Sequence, residues 1–149
     1  MIRQLIDDAR ALAKSRETFG PHSRTLRATV LQSDAYRILL LQRWRELMQQ
    51  NHIPLAGHFL RMTQTAMFGI EISNQARLGH GVNFTHPVGI VIGGNSVVGD
   101  RVIFYGNNTL GTVDNRGYPH VEDDVIIGAG ARILGPVRVG ARSIVGANA

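Results

Sequence analysis

The chain has 149 residues, 44% of them hydrophobic and 18% charged, with a formal net charge of +5, the make-up of one folded domain of ordinary size rather than a disordered or large multi-domain protein. It contains no cysteine, which excludes disulfides, thiolate-held metals and an acyl-cysteine intermediate. Residues 1–70 hold ten Lys and Arg against five acids and residues 71–149 six against six, so the basic excess is N-terminal and reads as an Arg-rich, solvated helix face, with no nucleic-acid partner expected.

The opening stretch "MIRQLIDDARALAK" sets Asp7 and Asp8 where a secretory signal needs an apolar core, and no apolar run approaches spanning length. No membrane span is expected, and a cytoplasmic location follows as the default. Ile2, Leu5, Ile6, Ala9, Leu12 and Ala13 recur at helical spacing and predict a helix over 2–17, broken by Gly20-Pro21. Leu31, Ala35, Ile38, Leu39 and Trp44 through Leu47 predict a second over 32–50, capped by Ser33 or Asp34. Asn51 to Pro54 separates it from a third over 55–67, and Gly69 ends this helical region, residues 1–69.

From residue 70 the period changes to six. Large apolar residues fall at Ile72, Leu78 and Phe84, shift by two at Ile90 to Ile92, continue at Val98, Phe104 and Leu110, and resume at Val121, Ile127, Ile133, Val139 and Val145. Small or β-branched residues follow four positions later, at Ala76, Val82, Val88, Ser96, Val102, Val125, Ala131, Val137, Ser143 and Ala149. About ten such hexads make a repeat architecture. Each hexad is a short strand plus a turn, and three complete a triangular coil, so the large side chain of each strand stacks inward on its counterpart one coil away. With rungs ~4.8 Å apart, residues 70–149 are expected to form a parallel β-helix. The stretch "TVDNRGYPH", residues 112–120, inserts about five residues into a coil and must project as a loop. Asn107 and Asn108 are expected to form a polar ladder inside the coil. "GGNSVVG" lacks the Lys-Ser/Thr ending of a phosphate loop, and "GAGARILG" is the repeat itself.

The runs "GIEISNQARLGHGVNFTHPVGIVIGGNSVVGDRVIFYGNNTLGT" and "YPHVEDDVIIGAGARILGPVRVG", together with "DAYRI" at 34–38, resemble the serine acetyltransferase branch of the hexapeptide acyltransferases over residues 33–149. Phe68 to Ile72 and Pro119 to Val121 also look like a sub-branch that acetylates exopolysaccharide or capsule sugars. The resemblance implies a mainly β fold, a left-handed β-helix with an N-terminal helical segment, a homotrimer with its active sites between neighbouring prisms, and acetyl-CoA as co-substrate with no metal. It makes His86 the general base that takes the proton of an acceptor hydroxyl, a task suited to imidazole. Glu71, fifteen residues earlier, matches the carboxylate that orients the base, and its spacing places it one coil away and within reach. Gly111, Gly128, Ala129 and Arg132 fall where the family's CoA groove runs. Thr85, Tyr118 and His120 are the candidate acceptor contacts.

Two departures bear on the acceptor. The Asp that precedes the family's histidine is Thr85, and the Arg-His pair of its projecting loop is Gly117-Tyr118. Those residues hold an amino acid's charged groups in the family, so their loss suggests a saccharide or other neutral alcohol, with serine O-acetyltransferase the alternative. The family's tail that helps to cover CoA does not follow Ala149, so either the donor site is open or the chain is a piece of a longer one. Two further readings remain. One is a trans-subunit zinc site using His80, His86 and His120. The other is a non-catalytic β-helix scaffold, although Thr85, Thr109 and Thr112 form no rank like that of an ice-binding face.

Overall fold

The computed structural model describes residues 1–17 and 26–149; the expected break at Gly20-Pro21 lies outside them. Four helices come first: α1 (Ile2–Glu17), α2 (Leu26–Gln32), α3 (Asp34–Gln50) and α4 (Pro54–Phe68). The spacing anticipated three of them and missed α2, which ends at Gln32 one residue before the cap of α3. Ser33 caps α3 by accepting from the Tyr36 amide at 3.4 Å, while α4 opens on Pro54 and closes on Gly69 in the left-handed region. No helix among the described residues is long and apolar enough to cross a membrane.

Twelve strands of two or three residues follow: β1 (Glu71–Ile72), β2 (Arg77–Leu78), β3 (Asn83–Phe84), β4 (Val91–Ile92), β5 (Val97–Val98), β6 (Ile103–Phe104), β7 (Thr109–Gly111), β8 (His120–Val121), β9 (Ile126–Ile127), β10 (Arg132–Leu134), β11 (Arg138–Val139) and β12 (Ile144–Val145). They pair in parallel as three ladders, β1-β4-β7-β10, β2-β5-β8-β11 and β3-β6-β9-β12. These are the first, second and third faces of a left-handed parallel β-helix of about four coils, the class the sequence predicts.

Register locates every departure from an eighteen-residue coil. Val91 pairs with Thr109, eighteen residues on, but Glu71 pairs with Val91 at twenty and Thr109 with Arg132 at twenty-three. The extra two residues lie in the turn 85–90, which carries His86, and the extra five in the loop 112–119. Inside, Ile72, Ile92, Leu110 and Ile133 stack up the first face, and Phe84 and Phe104 stack at 5.5 Å between ring centroids on the third. Val88 and Val137, at inward-reading positions, are exposed instead; Val88 lies within the two-residue insertion, which shifts the phase so that Ile90 takes the buried place. Asn108 is the buried polar rung, its side chain accepting from the Gly106 amide at 3.0 Å and donating to the Gly128 carbonyl at 2.6 Å. Asn107 sits outside at φ 48°, so the polar ladder expected of both residues belongs to Asn108 alone.

The helices dock through charge. Buried Arg43 donates to Asp8 at 3.1 Å and to the carbonyls of Leu78 and Gly79 at 2.9 and 2.7 Å, and the same Asp8 accepts from the Gly81 amide at 3.0 Å. Arg43 and Arg45 are buried while Trp44 between them is exposed. At these two residues the solvated-face reading of the basic helix is corrected: the guanidiniums bond to coil carbonyls and to side-chain oxygens, including the Asp8 carboxylate, that a tryptophan could not satisfy.

Candidate active site

His86 lies in the turn between β3 and β4 and is exposed. Backbone bonds pin that turn on both sides, from the Gly89 amide to the Gly69 carbonyl at 2.9 Å and from the Asn107 amide to the Val88 carbonyl at 3.2 Å. Gly106 of the next coil presses against it: a Cβ there would stand 2.7 Å from the His86 carbonyl oxygen and 3.1 Å from its Cβ, at φ 139°. A rigid wall therefore presents an imidazole to solvent, with exposed Thr85 beside it.

Glu71 opens β1 at the corner where the His86 turn joins the first face. The resemblance pairs it with His86, but among the described residues its ionic partner is Arg61 of α4, Oε1 to Nη1 at 3.6 Å. Between α4 and the first face runs a cleft of about 420 Å³ lined by His58, Arg61, Glu71, Ser73, Asn74 and Gly94, among others. It extends from Glu71 to Gly94, against which the ring of Tyr118 packs so closely that any Cβ at Gly94 would collide with it. The projecting loop thus seats its aromatic ring near the far end of the cleft.

Behind the cleft wall lies Arg45. It donates to Gln42 and Gln64 at 2.9 and 2.7 Å, to the Ile72 carbonyl at 2.9 Å and to Asn74 of the cleft. No carboxylate is among these partners, and its Nε has none. Burial, and then the charge of Arg61, lower its pKa to about 10. The helix side of the cleft is therefore electropositive. Arg61 and His58 of α4 and Arg45 of α3 were missed in the sequence because nothing in a helical period tells which face of each helix meets the coil.

The donor-site candidates divide. Gly128, Ala129 and Arg132 gather on the prism edge that also carries His86, two coils along, where the Gly130 amide bonds the Gly106 carbonyl at 3.0 Å. Arg132 is exposed and reaches back to the carbonyl and side chain of Asn107. Gly111 lies at the opposite end of the first face. Gly111 and Gly128 also have packing reasons to lack a side chain: a Cβ would stand 3.1 Å from Leu134 and 2.6 Å from the Ala147 nitrogen, respectively. His120 faces solvent on the second face, away from the cleft. His80 meets Asp8 through Nδ1 at 3.3 Å, and the described residues contain no cluster of three side chains that could hold a metal.

Residues 118–149 match the family of bacterial transferase hexapeptide (six repeats). The serine acetyltransferase of Synechococcus elongatus is 31% identical over 115 residues, covering 75% of this chain and 47% of that protein. The serine acetyltransferase of Mycobacterium tuberculosis is 45% identical over 97 residues, covering 63% and 41%. The chain thus spans about half the length, or less, of these curated relatives. Among solved structures, a serine acetyltransferase in complex with CoA superimposes with a TM-score of 0.85 at 29% identity, and soybean serine acetyltransferase complexed with serine with 0.84 at 30%. Each match covers 98% of this chain and 61% of the other.

These likenesses correct the expected acceptor. The saccharide or other neutral alcohol inferred from Thr85 and Gly117-Tyr118 is overturned by relatives that are serine acetyltransferases and by a solved neighbour that holds serine. Reading the acceptor from two substituted positions left out the contribution of α4, which brings Arg61 and His58 to the cleft.

Proposed function

We propose, from the premise that this chain belongs with the hexapeptide-repeat acyltransferases on the serine acetyltransferase branch, that it transfers an acetyl group from acetyl-CoA to the hydroxyl of serine. The observation that carries this reading is likeness along almost the whole chain to solved serine acetyltransferases, one holding CoA and one holding serine. In the proposed reaction His86 takes the hydroxyl proton as the serine oxygen attacks the thioester carbonyl. Coil amides donate to the oxyanion, and the proton passes from the imidazole to the departing CoA sulfur. Transfer is direct in this reading, and the lack of cysteine excludes an acyl-cysteine intermediate. Glu71 is the candidate to orient the imidazole. Arg132 and the edge amides around Gly128 and Ala129 are the candidates for the donor, with Gly111 at the far end of the face. Thr85 and Tyr118 flank the acceptor's path, and His120 is assigned to a neighbouring prism's site in a trimer.

Thiol release from acetyl-CoA in the presence of serine tests the base. His86→Ala is expected to lower kcat by ~2 to 4 orders of magnitude with the fold unchanged by circular dichroism, the range for removal of a general base. A variant that retains wild-type turnover would remove His86 from the chemistry.

A further inference from the structure

The structure assigns recognition of the acceptor's carboxylate to Arg61 of α4, an inference that rests on reading the acceptor as an amino acid. In the cleft Arg61 is the guanidinium, and what it holds, Glu71, is held loosely. Their 3.6 Å separation is longer than a hydrogen bond, and the side chains are 34% and 56% exposed. Such a pair contributes little, so a ligand carboxylate offering two parallel hydrogen bonds to the planar fork can replace it. The surroundings favour an anion there. Arg45 lies buried behind Asn74 with no carboxylate bonded to it, and its pKa is lowered in part by the charge of Arg61. Two like charges on one wall are relieved by a negative group arriving between them and solvent.

The projecting loop does not compete for this role. Its positions 117 and 118 are Gly and Tyr, and the Tyr118 ring is seated against Gly94. Arg116 is mostly exposed and pairs with Asp114 two residues away at 3.3 Å. The loop borders the cleft and α4 charges it. When a ligand carboxylate takes Arg61, Glu71 loses its partner and becomes available to the imidazole at the same corner, which accounts for a resting state in which Glu71 and His86 are not joined.

Calorimetric binding of serine and of serinol, in which a hydroxymethyl group replaces the carboxylate, separates this from a structural role. Arg61→Gln is expected to weaken serine binding about 10- to 100-fold, the range for a hydrogen bond to a charged group, and to leave serinol within about two-fold. Arg61→Lys should restore part of the serine affinity, and it preserves the charge should the Gln variant lose stability. Equal loss for both ligands, or unchanged serine affinity, overturns the assignment. Thiol release is read separately. A wild-type chain that binds serine through Arg61 yet releases no thiol with it defeats the proposed reaction alone. Serine-dependent release with an unaltered serine-to-serinol ratio in Arg61→Gln defeats this assignment alone.

Discussion

At the scale of single residues, the molecule places guanidiniums where its sequence reads as a solvated basic face. Arg45 is buried and answers four oxygens, those of Gln42, Gln64, the Ile72 carbonyl and Asn74. It thereby ties α3 to α4 and both to the first strand of the prism. Removing one member of such a network leaves its partners buried and unpaired, which costs more than the network's net contribution. Arg45→Met, which keeps an unbranched apolar stem but leaves these oxygens without their donor, is expected to destabilise the fold by about 1–3 kcal/mol, measured as a lower midpoint in chemical denaturation. A change below about 1 kcal/mol would mean that the four oxygens find other donors. Sequence reasoning had no access to this residue, because an arginine at a helical position looks the same whether its face meets solvent or backbone carbonyls. The exposed place of His86 in its turn fits the base that family likeness suggests. Its separation from Glu71 was not legible, since that depends on where Arg61 reaches from another helix.

At the scale of elements, the decisive contact is between α1 and the second corner of the first coil. Gly81 lies in the left-handed region at φ 64°, and a Cβ there would collide with Ala11 of α1. The Gly81 amide also donates to buried Asp8 of the same helix. Backbone strain and overpacking therefore act together on one substitution. Gly81→Ala is expected to cost about 1–3 kcal/mol and to raise hydrogen exchange in α1 more than in the inner rungs, a pattern that exchange mass spectrometry resolves. Uniform loss of protection across all coils would instead make α1 and the prism one cooperative unit. The short helix α2 escaped the sequence reading because Leu26–Gln32 is only two turns long, too short for a period to declare itself.

At the scale of the whole molecule, the prism was the most legible part, because a six-residue period repeated about ten times leaves one arrangement that buries every large side chain. The two insertions were legible for the same reason, as breaks in phase at Ile90 and at the 112–120 stretch. The acceptor was not, because two substituted positions say nothing of what other elements contribute, such as the cleft that α4 forms with the first face. For serine to be the acceptor, that cleft must serve the edge that carries His86. The measurement that tests it most directly is release of free thiol from acetyl-CoA by this chain as serine is titrated, with the acetylated product identified by mass. Saturable, serine-dependent release in equal amounts with O-acetylserine is the predicted result, and thiol release that does not depend on serine, or its absence at saturating donor, would contradict it.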